Sequence, residues 1–171
     1  MTQKRLHRLC LAGLFTAIVF VFTAYLHIPS NTGYTHIGDA FIFLAASLMP
    51  TPYAVFIGAA GASLADCLTG YALWAPASLV IKAVTALFFT AKKPRILTTR
   101  NLLALIPSGV LCFGGYYGYE VLITGNAISP LAGLPGYFTQ IVLSSALFLF
   151  LGVTLDKMSV KSRLMNGGND Q

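Results

Sequence analysis

Residues 75–91, APASLVIKAVTALFFTA, decide the fold of this chain, because an apolar run of this length is typical of a membrane-crossing helix. Lys82 lies near the middle of the run. A cation at the centre of a membrane helix costs about 2.5–3.5 kcal/mol on insertion scales. Such a residue usually faces the interior of a helix bundle or a water-filled cavity, with a partner of opposite charge. The sequence therefore predicts a polar pocket inside a membrane helix bundle.

The composition supports an integral membrane protein with one compact domain. Of 171 residues, 56% are hydrophobic and 9% are charged, whereas a soluble domain carries about 25% charged residues. The net charge of +6 does not indicate nucleic-acid binding, because the basic residues are scattered rather than gathered in an aromatic-interleaved patch. The cysteines, Cys10, Cys67 and Cys112, are isolated and show neither metal-ligand nor disulfide spacing.

Six apolar segments are candidates for membrane helices, since a span takes about 20 apolar residues. The first resembles a signal peptide, but it lacks an A-x-A cleavage site and is interpreted as a retained helix. The second is short, and Pro50 and Pro52 join it tightly to the third, which favours a hairpin and leaves a re-entrant segment as the alternative. The segments cover residues 8–27, 38–50, 53–69, 74–91, 101–124 and 136–156.

The loop charges predict the orientation of these segments. With six spans, every basic residue except Lys82 falls on one side of the membrane, and the positive-inside rule places that side and both termini in the cytoplasm. These basic residues are Lys4, Arg5, Arg8, Lys92, Lys93, Arg95, Arg100, Lys157, Lys161 and Arg163. The outer loops 27–38 and 125–136 mix turn formers with apolar residues, as either lids or plain connectors do. We therefore expect one six-helix domain over residues 1–163 and a disordered tail over 164–171.

Four charged side chains are predicted in the outer half of the bundle: Asp39, Asp66, Glu120 and Lys82. In one interpretation they line a substrate pocket that opens to the exterior and has Lys82 at its floor. In the other, a Lys82–Asp66 or Lys82–Glu120 pair holds helices together. The two interpretations are compatible, because an ion pair can also line a pocket.

Helical spacing adds polar and aromatic faces to the predicted pocket. Three helices each carry an aromatic side chain near the pocket mouth and a hydrogen-bonding group below it, which suits a flat heterocycle with polar edges. An interfacial aromatic belt is the alternative for the tyrosines. The side chains on these faces are Trp74, Ser78, Tyr116, Tyr119, Tyr137, Gln140 and Ser144.

Small residues at i, i+4 spacing mark close helix contacts in lipid. In the third segment, the pairs Gly58/Ala62 and Gly61/Ala65 indicate internal packing. The first segment carries a similar face, which serves either internal packing or docking to another membrane subunit. That face consists of Ala12, Gly13, Thr16 and Ala17.

Motifs of soluble hydrolases, metalloproteases and phosphate-binding loops are absent from the sequence. The best enzymatic alternative is a membrane aspartyl protease that uses Asp39 and Asp66, which would have to share a proton. This alternative leaves Lys82 unexplained. Another alternative is a stand-alone secondary transporter that runs on an ion gradient, with Asp66 or Glu120 as its proton carrier.

Three sequence blocks resemble the substrate-binding (S) components of energy-coupling factor (ECF) vitamin transporters. They are GYTHIGDA at 33–40, GAAGASLAD at 58–66 followed by Gly70-Tyr71, and APASLVIK at 75–82. The resemblance extends over residues 8–157 and is strongest to the branch that includes riboflavin, hydroxymethylpyrimidine and pyridoxine S components.

The resemblance implies a non-enzymatic subunit of a bacterial cell membrane transporter, with six helices and no cofactor. It implies capture of a vitamin-like molecule from outside, and our order of preference is a pyridoxine-like or hydroxymethylpyrimidine-like ligand, then riboflavin, then a deazapurine such as queuine. It also implies a transmembrane coupling (T) subunit and two ATPase subunits as partners. In the family, an Ala-x-x-x-Ala face on the first helix docks the T subunit, and the pairs Ala12/Thr16 and Gly13/Ala17 depart from that strict form.

Overall fold

The computed structural model describes residues 2–29 and 34–166, which form a helical bundle with one short hairpin. The strands of the hairpin are β1 (His27–Pro29) and β2 (Tyr34–His36), which pair antiparallel with His27 opposite His36. Short 3₁₀ turns at Ala72–Trp74 and Ser129–Gly133 precede two of the helices. The helices are α1 (Gln3–Ala24), α2 (Asp39–Leu48), α3 (Thr51–Leu68), α4 (Ala75–Phe88), α5 (Thr99–Leu103), α6 (Leu105–Thr124), α7 (Leu134–Lys157) and α8 (Val160–Asn166).

Proline and glycine set several helix ends. Prolines stand in the first turn of α3, α4 and α7, where the missing N–H has no intrahelical partner in any case. Gly125 ends α6 in the left-handed conformation, with φ of 66°, which costs glycine little. The Thr98 side chain accepts a hydrogen bond from the backbone N–H of Asn101 and so caps α5.

Each of the six predicted segments contains a helix, and within the described residues four helical stretches are long and apolar enough to cross a membrane. These are Gln3–Ala24, Thr51–Leu68, Thr99–Thr124 and Ser129–Lys157. Asp39–Leu48 and Ala72–Phe88 are apolar but shorter. The count of six spans and the orientation of the termini therefore stay predictions.

The short helix α2 is the centre of the bundle. Nine of its ten residues are buried, so its backbone is covered by protein. Ten residues rise only about 15 Å, half of a typical hydrocarbon core. A helix shorter than the hydrocarbon core is tolerated where neighbouring helices cover it, and the buried helix α2 is covered in this way. Pro50 caps the start of α3 directly after α2, so α2 and α3 form the predicted helical hairpin.

Helix α3 packs most extensively against α1 and α4. A Cβ on Gly58 would lie 2.9 Å from the Lys82 carbonyl oxygen, and one on Gly61 would lie 2.7 Å from the Val19 side chain. Both glycines therefore allow the helix backbones to approach closely. Ala62 and Ala65 are buried as well, so the prediction of internal packing for this face of α3 is confirmed.

A polar clamp fixes the connection between α4 and α5 at the end of the bundle opposite the hairpin. Asp156 accepts hydrogen bonds from the backbone amides of residues 96 and 97, at 2.7 and 3.0 Å. The buried Lys161 ammonium donates to the Ser47 carbonyl at 2.7 Å, and burial lowers the pKa of Lys161. The side-chain amide nitrogen of Asn101 donates to the Ser47 hydroxyl at 3.0 Å. The clamp thus brings α2, α5, α7 and α8 together.

Helix α8 extends to Asn166, so residues 164–166 of the predicted disordered tail are helical. The rest of that tail, residues 167–171, lies outside the described residues.

Candidate binding site

A small cavity of about 30 Å³ lies at the hairpin end of the bundle. A single water needs roughly 10–15 Å³ measured in this way, whereas sites for drug-sized ligands usually occupy about 300–1,000 Å³. Side chains from β2, α4, α6 and α7 line it, together with one from the end of α3 and one from the turn before α4. The lining residues are Tyr34, His36, Asp66, Trp74, Ser78, Tyr116, Tyr137 and Gln140.

A buried ion pair lies directly behind this cavity. The Lys82 ammonium is 2.7 Å from Oδ1 and 2.9 Å from Oδ2 of Asp39, and both residues are almost completely buried. The same ammonium lies 5.1 Å from the centre of the Tyr116 ring, a distance at which cation–π attraction acts. The expectation of an Asp66 or Glu120 partner for Lys82 is therefore wrong. Asp39 is closer because it opens the central helix α2, which packs against α4.

Gln140 connects the ion pair to the cavity. Its amide nitrogen donates to Asp39 Oδ2 at 2.9 Å, and the same side chain lines the cavity. Lys82 and Asp39 themselves are not among the lining residues, so Lys82 lies behind the predicted floor rather than on it. The ion pair can act on a molecule in the cavity through Gln140 and through the Tyr116 ring.

Asp66 is the carboxylate that lines the cavity. The Tyr34 hydroxyl donates a hydrogen bond to Oδ1 of Asp66. The other oxygen, Oδ2, is buried and has no hydrogen bond of normal geometry, although Ser78 is near enough to interact with it. Buried polar atoms nearly always have partners, so Oδ2 is an acceptor that a ligand donor can use. Glu120 is also buried, but it accepts from the Tyr137 hydroxyl at 3.4 Å and lies outside the lining.

Aromatic rings form one wall of the cavity. The rings of Tyr116 and Tyr137 are stacked, with centroids 5.9 Å apart and planes inclined by 10°. The Trp74 ring lies 6.1 Å from Tyr116, and the Tyr116 hydroxyl is 2.7 Å from that of Ser78. Only 7% of Tyr116 is exposed, so a membrane-interface belt does not describe this residue. Stacked rings with hydroxyls at the edge suit a flat, polar-edged molecule.

Two lining residues, Tyr34 and His36, were not among the predicted site residues. They alternate on β2 and so point to the same face of the strand. His36 is buried, and its Nδ1 accepts from the Gly38 amide at 3.1 Å. Burial lowers the pKa of His36 to about 4, with Lys82 adding to the effect and Asp39 opposing it, so the ring is neutral at pH 7. Burial and the Asp66 carboxylate raise the pKa of Tyr34.

Of the two outer loops, interpreted as either lids or connectors, the one that forms the β1–β2 hairpin contributes to the cavity, whereas loop 125–136 contributes no lining residue among those described. The two aspartates of the alternative protease hypothesis have different partners. Asp39 pairs with Lys82 and Gln140, while Asp66 pairs with Tyr34.

Within residues 2–29 and 34–166, no group of three His, Cys, Asp or Glu side chains could hold a metal ion.

The predicted docking residues of α1 lie on two different faces. Ala12 is buried, and the hydroxyl of half-buried Thr16 donates to its carbonyl at 2.8 Å. Gly13 and Ala17 are exposed, and a Cβ on Gly13 would meet no atom within 4 Å. Only the Gly13/Ala17 face is thus open to a partner, and its docking role stays a prediction.

Apolar helices that surround a polar, aromatic-lined cavity define a membrane protein that binds a small molecule. The sequence pattern of the family described as ECF-type riboflavin transporter, S component, matches residues 3–157. The chain belongs to this family, and the resemblance inferred from the three sequence blocks is confirmed. It is an integral membrane subunit that binds a vitamin for a transporter, in a family that is not catalytic. A comparison with curated proteins gives no match.

Proposed function

We propose that this S component captures a single-ring nitrogen heterocycle, of the pyridoxine or hydroxymethylpyrimidine type, from outside a bacterial cell. A T subunit and two ATPase subunits then drive its uptake. The observation that carries the proposal is the set of groups around one cavity: stacked tyrosine rings, the neutral amide of Gln140 and the Asp66 carboxylate. A flat ring stacks on the aromatic wall, while its hydroxymethyl groups donate to the carboxylate.

The size of the cavity ranks the candidate ligands. At about 30 Å³ it must enlarge for any vitamin, and a single ring requires less rearrangement than the three fused rings of riboflavin. Riboflavin is nevertheless the strongest competitor, because the description of the family names it. A deazapurine such as queuine, with two fused rings, is intermediate in size.

The arrangement of charge supports outward capture. The N-terminal, 92–100 and C-terminal basic segments meet at the end of the bundle opposite the cavity, where α1, the loop after α4 and α8 approach one another. The positive-inside rule then places that end in the cytoplasm and the cavity toward the exterior. In this proposal α2 and α4 complete six crossings together with the segments that flank them, and both termini are cytoplasmic.

Trp74 provides a direct assay, because it is the only tryptophan and it lines the cavity. Purified protein in detergent is titrated with pyridoxine, hydroxymethylpyrimidine, riboflavin and queuine while tryptophan fluorescence is recorded. We expect a saturable change with the lowest Kd for a single-ring ligand. Tighter binding of riboflavin would overturn the ligand assignment, and the absence of any response would argue against the cavity as the site.

A pair of variants on α7 tests the role of the amide. Gln140→Ala removes a lining group and should raise Kd at least tenfold. Thr139→Ala is the matched control, because Thr139 is exposed and bonds only to the carbonyl of Pro135 in its own helix. Equal affinities of the two variants would show that Gln140 does not contact the ligand.

Energy coupling is tested separately in lipid vesicles. The chain alone should not accumulate ligand under an imposed ion gradient, and accumulation would favour the stand-alone transporter that uses Asp66 or Glu120.

Gly13→Leu should reduce co-purification with the T subunit without harming the fold, because the side chain would extend into open space. Val153→Leu, at an exposed position of α7, is its control, and equal loss in both would argue against docking through α1.

A further inference from the structure

A second and much larger cavity, of about 500 Å³, lies at the opposite end of the bundle. It is formed where the start of α1 meets the α2–α3 turn, the end of α4 and the helix α8. Cationic side chains surround it: Lys4, Arg8 and Lys92, together with His7. Half-buried apolar side chains such as Leu11 and Phe15 also line it.

The charged side chains that the structure places around this cavity have one sign. Among residues 2–29 and 34–166, none of those that line it is acidic. Of the carboxylates that the structure describes, Asp39, Asp66 and Glu120 lie toward the other end, and Asp156 accepts two backbone amides in the polar clamp. Arg8 and Lys92 reach this cavity from two separate segments, and an anion bound between them would be attracted by both charges.

The apolar part of the cavity indicates what kind of anion it takes. The cavity lies along the first turns of α1, which continues as an apolar span with its outer face exposed. A soluble anion would use the cations alone and leave Leu11 and Phe15 in contact with water. An amphiphile uses both, with its headgroup among the cations and its chain along α1. Basic pockets between membrane helices on the cytoplasmic side suit anionic lipid headgroups.

We propose that this cavity binds an anionic phospholipid of the cytoplasmic leaflet. Its phosphate contacts Arg8 and Lys92, and the first part of an acyl chain lies against Leu11 and Phe15. The bound lipid links α1 to the loop after α4. The proposal uses the orientation argued under the proposed function, but it does not depend on which vitamin the chain binds.

The test counts lipids retained by the purified full chain in native mass spectrometry, with phosphatidylglycerol and phosphatidylcholine of matched acyl chains. We expect at least tenfold preference for phosphatidylglycerol and its loss in the double variant Arg8→Gln/Lys92→Gln. Both positions are exposed, so the fold should persist. The matched control is Lys93→Gln/Arg163→Gln, which removes the same charge from exposed positions outside the cavity.

Several results would overturn the proposal. Equal retention of both lipids, an undiminished preference in the Arg8/Lys92 variant, or an equal loss in the control would each do so. Displacement of the lipid by millimolar inorganic phosphate would indicate a soluble-anion site instead. Loss of T-subunit binding in the Arg8/Lys92 variant, with lipid retention unchanged, would identify a protein docking surface. The Trp74 titration should be unaffected by these variants, which separates this test from that of the vitamin site.

Discussion

The buried Lys82–Asp39 pair offers the sharpest test of the site. Lys82→Met keeps much of the side-chain volume but removes the ammonium that contacts both carboxylate oxygens at 2.7 and 2.9 Å. The Asp39 carboxylate, 4% exposed, would then keep the Gln140 amide but lose its counter-charge. Removal of one partner from a buried pair costs about 3–5 kcal/mol, so we expect a loss of stability of this size.

The double variant Lys82→Met/Asp39→Asn separates stability from binding. It removes both charges, and replacement of a whole buried pair by neutral groups is often nearly neutral for stability. We therefore expect it to recover most of the stability lost in Lys82→Met, measured by denaturant or thermal unfolding in detergent. A double variant as unstable as the single one would contradict the pairing seen in the structure.

Ligand affinity of the same double variant tests the functional role. The Gln140 amide then donates to a neutral amide oxygen at position 39 instead of a carboxylate, and the Tyr116 ring loses the nearby Lys82 charge, so both cavity groups are held less firmly. We expect Kd to rise at least tenfold, about 1.4 kcal/mol, by calorimetry with the ligand found in the Trp74 titration. The single variant Lys82→Ala should weaken binding by at least the same factor. A folded double variant with unchanged Kd would refute the reasoning and leave the pair a purely structural role.

Three further predictions concern the fold and pH. Gly58→Ala would place Cβ 2.9 Å from the Lys82 carbonyl and lower the unfolding free energy by about 1–3 kcal/mol, whereas Gly114→Ala, in open space, should not. The pKa of His36 is about 4 in the folded chain and 6.5 in its ordinary state, so the unfolded state binds more protons between these values. The free energy of unfolding should therefore fall by up to about 3 kcal/mol as the pH is lowered from 6.5 to 4. The variant His36→Gln should make this dependence on pH weaker. Asn101→Ala leaves buried partners of the polar clamp unpaired and should cost about 1–3 kcal/mol by the same unfolding assay.

Helix positions could be predicted from the sequence because apolar length and proline placement are local signals. All six predicted segments contain helices, with ends that differ by a few residues. The β1–β2 hairpin was not predicted, because its strands have three residues each and lie in a segment rich in turn formers. Strand pairing is a non-local property that so short a pattern does not reveal. The i, i+2 spacing of Tyr34 and His36 was the one available signal.

The sequence predicted how deep in the bundle the charged residues of the candidate site lie, but not which way they face about each helix axis. Counting residues along each helix placed Asp39, Asp66, Glu120 and Lys82 in the same half of the bundle. It could not say which carboxylate faces Lys82, because that depends on the order in which the helices pack. The central position of α2 decides the matter and gives Lys82 to Asp39. The i, i+4 spacing was a partial guide: Trp74 and Ser78 both line the cavity, whereas Lys82, on the same predicted face, lies behind it.

The position of the ion pair behind the cavity bears on how a neutral vitamin can bind tightly in a membrane protein. An ammonium inside the cavity would be hydrated, and a neutral ligand would have to displace that water. Here the charges satisfy each other, and in the proposed site the ligand would meet groups that they hold in place: the Gln140 amide and the Tyr116 ring. Side chains fixed before binding lose little conformational entropy when the ligand arrives, which raises affinity without new contacts. The buried charge is thus best understood as a support for the binding surface, and its cost is offset within the pair itself.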